Sequence, residues 1–440
     1  MTYKRESNIR RRWVAFFLPL IIVFIAGCAA NRMESPSGPG DTQATAESAE
    51  DNLGKPVVTV LMDLPIQVDY VPDEFTKSMS GLPGYNEDFM VSLESLPPSG
   101  AERDTALSRL RTELLAGKGP DLFLCAQRLY GISAGPDDKP FFQFPVQAMS
   151  NRMFLPLDDF ITQAEFIDWD GLQAVVMAAG RNEEGQQIIP LTYTFEATFF
   201  DKKDYTPERD FPMTWEEMLK DPDPEIRYTA SQGGAHLQDV IGELADYSED
   251  APAFLEEDLR TWAGMWFDAW QGLPEEMRDE KRPETIPLTQ DGLKYSGVDL
   301  GGEQEYTIIP AYNRNGGITA NITTFVAINR NARRPDEAFK IIDYLLKPQV
   351  QLTSPLFQNR MEGMPVSVDA GDVTIPRSNY WWMSPANFQA ISTVREQINI
   401  AKFPGPLDVS IWMMDAYDPK VLEKSAHEQY ILMEMLLAES

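Results

Sequence analysis

Side chains suited to catalysis or metal binding are scarce in this chain. Its 440 residues include two cysteines, Cys28 and Cys125, and two histidines, His236 and His427. The motifs HExxH, CxxC and GxxxxGK[ST] do not occur, so the sequence gives no support for a zinc hydrolase, a dithiol site or a phosphate-binding loop. The motif GxSxG occurs once, as "GISAG" at residues 131–135. Carboxylate pairs carry little weight, because 68 acidic residues bring some pair together in any fold. We therefore expect no enzyme activity, cofactor or metal.

The sequence around one cysteine and one histidine favours a structural role for each of them. Cys125 lies in "PDLFLCAQ", an apolar run typical of a strand, so we expect a buried and inert thiol. His427 falls in a C-terminal helical pattern, where we expect a surface position. Cys28 has a different setting, because it ends an apolar run near the N-terminus.

The first residues have the pattern of a secretory signal. The basic segment "YKRESNIRRR" precedes an apolar run at residues 14–26, which is short for a membrane span of ~20 residues. The sequence Ile25-Ala26-Gly27-Cys28 resembles the bacterial lipobox. The resemblance implies cleavage before Cys28 and attachment of acyl chains such as palmitate to its thiol. An uncleaved membrane anchor is the alternative, and both place the following chain outside the cytoplasm at a membrane surface.

The composition after Cys28 indicates a tether followed by a large acidic body. Residues 28–54 are rich in small, polar and acidic residues, which predicts a flexible tether. The remaining length suits two lobes better than one core. The net charge of −30 argues against nucleic acid as a partner and favours solubility as the role of the charge.

Strand and helix patterns alternate at the start of the body. Residues 57–62 and 89–96 predict strands, and "RDTALSRLRTELLAGKG" predicts a helix. A third strand follows in "PDLFLCA", and this order predicts a parallel sheet with right-handed crossovers. The apolar face predicted for the helix consists of Ala106, Leu107, Leu110, Leu114 and Leu115.

Several segments resemble, in order, the family 1 extracellular solute-binding proteins. These are lipoprotein receptors of ABC importers, many of them for sugars. The segments are "ELLAGKGPDLFL", "QQIIPLTYTFEATFFDKKDY", "PMTWEEMLKD", "GGITANITTFVAINRNARRPDEAFKIIDYLLKPQVQ", "EGMPVSVDA" and "KVLEKSAHEQYILMEMLLAES". The third contains a predicted capping box of Thr214 and Glu217, and the fourth a predicted helix that begins at Pro335. The last departs from the family, because "YDPKV" replaces a glycine-led start.

The resemblance implies an α/β, two-lobed periplasmic-binding-protein-like fold of type II. The three interlobe crossings are expected near residues 191–195, 318–325 and 365–372. Residues 1–27 would be the signal peptide, 55–192 and 324–365 the first lobe, and 193–323 and 366–440 the second. A ligand would bind between the lobes, beyond the carboxyl ends of the strands.

Candidate ligand contacts follow the predicted strands or lie on the crossings. Candidates in these places are Asp63, Gln127, Arg128, Tyr193, Thr194, Tyr312, Asn313, Arg314, Trp381 and Trp382. Aromatic rings would cover apolar patches of a sugar, and polar groups would bind its hydroxyls. The ladder Trp262, Trp266 and Trp270 recurs every four residues, which is more typical of packing.

The sequence therefore predicts a monomeric, lipid-anchored receptor that binds a small solute for an ABC permease, and we expect this solute to be an oligosaccharide. A ligand-sensing or scaffolding lipoprotein with the same fold is an alternative. A polysaccharide-degrading surface enzyme is a third possibility, which measured hydrolysis would support. The sequence does not identify the ligand.

Overall fold

The strands form one large sheet, one small sheet and two antiparallel two-stranded pairs, with helices around them. The structure, a computed structural model, describes residues 54–64, 71–127, 139–232, 237–279, 282–368, 383–411 and 419–438. The strands of these residues are β1 (Val57–Asp63), β2 (Met90–Ser95), β3 (Leu122–Ala126), β4 (Arg181–Asn182), β5 (Gly185–Gln186), β6 (Ile188–Thr194), β7 (Glu196–Asp201), β8 (Ala245–Asp246), β9 (Ala251–Pro252), β10 (Thr285–Pro287), β11 (Tyr306–Pro310), β12 (Ile318–Ile328), β13 (Met364–Pro365) and β14 (Ile398–Lys402).

The helices of the described residues range from a single turn to more than five turns. They are α1 (Val71–Met79), α2 (Gly100–Leu115), α3 (Pro145–Ser150), α4 (Asp158–Ile161), α5 (Ala174–Ala178), α6 (Trp215–Leu219), α7 (Pro224–Gln232), α8 (Leu237–Ile241), α9 (Glu256–Gln271), α10 (Glu275–Asp279), α11 (Gln290–Ser296), α12 (Pro335–Leu345), α13 (Pro348–Thr353), α14 (Pro355–Arg360), α15 (Pro385–Arg395), α16 (Pro406–Ile411) and α17 (Pro419–Ala438). A short 3₁₀ helix spans Trp169–Gly171. None of these helices is both long and apolar enough to cross a bilayer.

The large sheet has mixed strand directions. Its order is β13-β6-β12-β3-β1-β2, and β14 pairs with β12 as a further strand. β1 is parallel to β2 and β3, which confirms the predicted arrangement. β12 is antiparallel to both β3 and β6. β1, β3 and β6 therefore run in one direction, and their carboxyl ends lie at one edge of the sheet.

The small sheet contains only antiparallel pairs. Its order is β10-β7-β11. The chain passes from the large sheet to the small one at Phe195, which lies between β6 and β7. It returns between β11 and β12. The third predicted crossing, residues 365–372, is described only as far as residue 368.

Local sequence signals explain several helices. The capping box of Thr214 and Glu217 is present at α6, and Pro335 begins α12, as predicted. The predicted apolar stripe of α12 is buried throughout and consists of Ala338, Phe339, Ile342, Leu345 and Leu346. The prediction for α2 is wrong at Leu115, whose side chain is 90% exposed. Leu115 is the last residue of α2, so it projects beyond the part of the helix that packs on the sheet.

The reactive side chains that the structure describes have the expected surroundings. Cys125 is buried in β3, and burial raises the pKa of its thiol well above the usual range. His427 lies at the surface of α17, where its Nδ1 is 2.9 Å from Glu256 Oε1. No group of three or more metal-ligating side chains is positioned around a common point among the described residues.

Candidate functional site

Three predicted site residues lie at the carboxyl edge of the large sheet. Asp63 is the last residue of β1, Gln127 follows β3, and Thr194 is the last residue of β6. The backbone N–H of Gln127 donates to the carbonyl of Thr323 at 2.8 Å, which fixes Gln127 beside β12. The strand directions therefore bring these three positions to one edge. Ligands of α/β sheets bind at such an edge.

Asp63 is part of a buried ion pair. Its carboxylate is 2.9 Å from Arg103 Nη2, and both side chains are only 1% exposed. Asp63 also accepts a hydrogen bond from the backbone N–H of Phe141 at 2.7 Å. Arg103 in turn donates to the carbonyls of Pro97 and Lys139. Asp63 thus holds the segment around Phe141 against the sheet edge, and its carboxylate is occupied by protein groups.

Gln127 and Thr194 retain hydrogen-bonding capacity. Gln127 is 3% exposed and donates from Nε2 to the carbonyl of Phe142 at 3.0 Å, while its Oε1 has no hydrogen-bond partner among the described residues. Thr194 is fully buried, and within the same set of residues its hydroxyl has no partner either. Buried polar atoms of this kind are uncommon and call for an explanation. A ligand that donates and accepts hydrogen bonds would satisfy both.

Tyr193 lies in β6 and links this strand to the chain after β13. Its hydroxyl accepts a hydrogen bond from Arg395 Nε at 2.6 Å, and burial raises its pKa. Arg395 also donates to the carbonyls of Pro365 at 3.4 Å and Ser367 at 3.3 Å. The buried guanidinium therefore joins the first crossing to the start of the third. Tyr193 is occupied by this contact.

Two threonines and a glycine pack the crossings tightly together. The hydroxyls of Thr192 in β6 and Thr323 in β12 lie 2.8 Å apart, and Thr323 also donates to the carbonyl of Glu362. Gly363 has a φ of +88°, and a Cβ added there would lie 2.4 Å from the carbonyl oxygen of Tyr193. Only glycine fits this position, because it combines a left-handed conformation with a close backbone approach.

Tyr312, Asn313 and Arg314 form the turn that leads into β12. Asn313 Oδ1 accepts hydrogen bonds from the backbone N–H groups of Asn315 and Gly317, and its Nδ2 donates to Asn399 Oδ1 at 2.7 Å.

The neighbours of Asn313 are also bonded within the protein. The Tyr312 hydroxyl donates to Gln397, and its ring stacks on Phe211 at 5.6 Å. Arg314 pairs with Glu216 at 2.8 Å and lies over the Trp262 ring, 4.2 Å from its centroid. All three turn residues are thus engaged in internal contacts. They differ in this from Gln127 and Thr194, whose side chains keep unpartnered oxygens among the described residues.

The remaining predicted site residues fall outside the described residues. These are Arg128, Trp381 and Trp382, and the predicted lipidation site Cys28 does so as well. Of the tryptophan ladder, Trp262 is buried against Phe254 and Arg314, which is the packing role that its spacing favours.

Sequence reasoning missed a charged group where the two sheets meet. We call Glu196, Asp239, Asn321, Lys402 and Asp408 the junction cluster. Lys402 Nζ is 2.6 Å from Asp408 Oδ1 and 3.1 Å from Asp239 Oδ1, and it donates to the carbonyl of Gln238 at 2.8 Å. Asn321 Nδ2 donates to Asp239 Oδ1 at 3.0 Å.

Each member of the junction cluster comes from a different element. Asn321 lies in β12 opposite Lys402 of β14, Asp239 is in α8, Asp408 is in α16, and Glu196 begins β7. Their separation along the chain hides the cluster from any motif. A lysine at the end of β14, whose other residues are uncharged, is the one signal that the sequence offers.

Glu196 has a strongly perturbed carboxyl group. It is 7% exposed, and its pKa lies well above the usual range, first because of burial and second because of the nearby negative charge of Asp239. Groups with strongly shifted pKa values often mark functional sites. Glu196 directly follows the first crossing, next to Phe195 and Thr194.

Comparison with known proteins identifies the fold. A family 1 extracellular solute-binding protein from Alicyclobacillus acidocaldarius subsp. acidocaldarius is similar over 86% of this chain and 99% of its own, with 14% identity and a TM-score of 0.57. For an oligogalacturonide-binding protein from Yersinia enterocolitica the values are 87%, 99%, 14% and 0.57. For a sugar-binding protein from Xanthomonas citri they are 87%, 98%, 13% and 0.55.

Other comparisons add less. Two designed esterases are also structurally similar. No protein-family model and no curated protein matches the sequence. The structural similarity nevertheless extends over almost the whole length of the similar chains. The protein therefore has the two-lobed α/β fold of extracellular solute-binding proteins.

The buried ion pair at the sheet edge generates a stability prediction. Replacing Arg103 with methionine leaves the Asp63 carboxylate buried without its cation, which should lower the free energy of unfolding by about 3–5 kcal/mol. Urea unfolding followed by circular dichroism measures this loss. The control is Arg109→Met on the same helix, because Arg109 is 47% exposed and pairs with Glu94 at the surface. It should cost less than about 1 kcal/mol, and equal losses for the two variants would contradict the assignment.

The raised pKa of Glu196 generates a pH prediction. The folded chain holds this proton more tightly than the unfolded chain, so stability falls as the pH rises above the ordinary glutamate pKa of about 4.3 and through the raised value. Glu196→Gln removes this titration. The variant should match the wild type near pH 4 and unfold at a higher temperature than the wild type at pH 8.

The control for this experiment has the opposite sign. Hydrogen bonds from the backbone and hydroxyl of Thr214 lower the pKa of Glu217. Glu217→Gln should therefore lower the unfolding temperature at pH 8 relative to wild type. The assignment for Glu196 fails if Glu196→Gln follows the wild-type curve at every pH.

Proposed function

We propose that this protein is an extracytoplasmic solute receptor that binds an oligosaccharide between its two lobes and delivers it to an ABC import permease. The observation that carries the proposal is the junction of the two sheets, where Gln127, Thr194 and Asn321 hold buried oxygens that have no hydrogen-bond partner among the described residues. The fold supports it, and the similar proteins from Yersinia enterocolitica and Xanthomonas citri are described as oligogalacturonide-binding and sugar-binding.

The lobes follow from a change of partner along β12. Residues 318–321 pair with β14, whereas residues 322–328 pair with β3 and β6. This change supports lobes of residues 55–192 with 324–365 and of residues 193–323 with 366–440. The crossings between them act as a hinge, and ligand binding favours the closed arrangement.

The proposed mechanism requires no bond to be made or broken. The ligand exchanges hydrogen bonds with water for hydrogen bonds with the sheet edge, and closure removes both from solvent. The permease then distinguishes the closed, loaded receptor from the open one. We propose that the receptor is monomeric and is not an enzyme.

The unpartnered hydroxyl of Thr194 provides the direct test of the ligand site. A thermal-shift screen of neutral and uronic-acid oligosaccharides first identifies a binding sugar, since a ligand at a hundred times its Kd stabilises by ~2.7 kcal/mol. Thr194→Val should then weaken binding of that sugar about tenfold, measured by calorimetry. It should leave the unfolding temperature of the free protein unchanged or higher, because no internal hydrogen bond is lost.

The matched control is a second fully buried threonine. The Thr198 hydroxyl lies 2.8 Å from that of Thr285 in the small sheet. Thr198→Val should lower the unfolding temperature and leave sugar affinity unchanged. Unchanged affinity in Thr194→Val would contradict the proposed site, and an absence of binding by every sugar would contradict the proposed ligand class.

We further propose that Cys28 carries the lipid that holds the receptor at the membrane. The full-length wild-type protein, expressed in a bacterial host, should partition into the detergent phase of Triton X-114. Cys28→Ser should move it to the aqueous phase, whereas Cys125→Ala should not. Detergent-phase partition of Cys28→Ser would contradict lipidation at this residue.

A further inference from the structure

The junction cluster carries an excess of negative charge. The single ammonium of Lys402 faces the carboxylates of both Asp239 and Asp408, with Glu196 nearby. Two carboxylates against one ammonium leave a negative balance even when Glu196 holds its proton. Asp239 is 3% exposed, so solvent screens this charge weakly.

Lys402 has no proton left for an anionic ligand. An ammonium group donates three hydrogen bonds, and those of Lys402 go to Asp239, Asp408 and the carbonyl of Gln238. The cation is therefore fully occupied within the protein. It neutralises part of the cluster and offers nothing outward.

Among the residues that the structure describes, the arginines near the sheet edge are likewise engaged. Arg103 is bonded to Asp63 and to the carbonyls of Pro97 and Lys139. Arg395 is bonded to Tyr193 and to the carbonyls of Pro365 and Ser367. Both lie in buried positions that structural contacts fill.

The unpartnered atoms of the cluster and the sheet edge are mostly acceptors. Asn321 is 3% exposed, and its Nδ2 donates to Asp239, so its Oδ1 belongs to an amide that adjoins this carboxylate. That Oδ1 has no hydrogen-bond partner among the residues that the structure describes, and neither does Oε1 of Gln238 or Gln127. Carbonyl oxygens of this kind require donors, and sugar hydroxyls are donors.

We propose that the junction cluster makes this receptor selective for uncharged glycans and excludes glycans that carry carboxylate groups. This selectivity rests on the proposed function. The hydroxyls of a neutral sugar donate hydrogen bonds to Gln127 and to acceptors of the cluster such as Asn321. A uronic acid brings a negative charge next to Asp239 and Asp408, in a buried setting where like charges repel strongly. The protein therefore shares its fold with an oligogalacturonide-binding protein but does not share an acidic ligand with it.

Two pools of glycans test this selectivity with the full-length protein. Enzymatic digests of plant and bacterial polysaccharides are separated by anion exchange into a neutral and an acidic pool. Each pool is passed over immobilised protein, and the retained glycans are released by denaturation and identified by mass spectrometry. We expect at least tenfold greater retention from the neutral pool.

The possible results separate the two proposals. Equal or greater retention of acidic glycans overturns the inferred selectivity and leaves the oligosaccharide receptor intact. Retention from neither pool overturns the proposed oligosaccharide ligand, and the selectivity falls with it.

A charge-removing variant tests the role of the cluster itself. Asp239→Asn keeps the shape of the side chain and leaves Lys402 paired with Asp408. It should raise retention of acidic glycans several-fold over wild type. The control is Asp343→Asn, because Asp343 is also buried but binds the backbone of residues 165–167.

The control should retain the wild-type preference. The same preference in Asp239→Asn and Asp343→Asn would overturn the assignment of selectivity to the junction cluster. The wild-type pools decide the selectivity even where Asp239→Asn does not fold.

Discussion

Every residue of β12 is buried, and this strand pairs with β14 as well as with β3 and β6 in the large sheet. Its first residues pair with β14, and its later residues pair with β3 and β6. No other strand among the described residues pairs both with β14 and with the strands β3 and β6. The position of the sheet edge, the packing of the crossings and the junction cluster all depend on where β12 changes partners.

The change of partner along β12 creates a site for a polar ligand and also lowers the stability of the fold. Irregular register near Thr324 interrupts the pairing of β12 with β6, and side chains of β12 around it carry oxygens without partners in the described part of the chain. Burying such atoms costs free energy. Thr192, Thr323, Tyr193 and Arg395 offset part of that cost by linking the crossings through hydrogen bonds. The resulting junction is firmly held yet has unused capacity for a polar ligand.

Local patterns in the sequence predicted several elements of the fold. The β-branched run of β1, the capping box at α6 and the apolar stripe of α12 each depend on residues close in sequence, and the structure confirms all three. Leu115 shows the limit of such patterns, because helical spacing does not tell where the helix leaves its neighbour. The two-lobed fold was predicted from several segments that resemble, in the same order, those of a known family.

The site was less accessible to sequence reasoning. Asp63, Gln127 and Thr194 could be placed at the sheet edge because strand ends can be read locally. Whether their side chains are free depends on distant residues, and Arg103 occupies Asp63 from 40 positions away. The contact between Asp239 and Lys402 likewise joins elements that no periodic pattern connects.

The central claim is that a sugar closes the two lobes over this junction. Spin labels at Leu115→Cys and Tyr295→Cys, both highly exposed in the native chain, report on the large-sheet and small-sheet sides. Double electron–electron resonance then measures the distance between the labels with and without a saturating oligosaccharide. The account predicts that the sugar shifts the distance distribution to a single narrower population. Identical distributions, with binding confirmed by calorimetry, would contradict it.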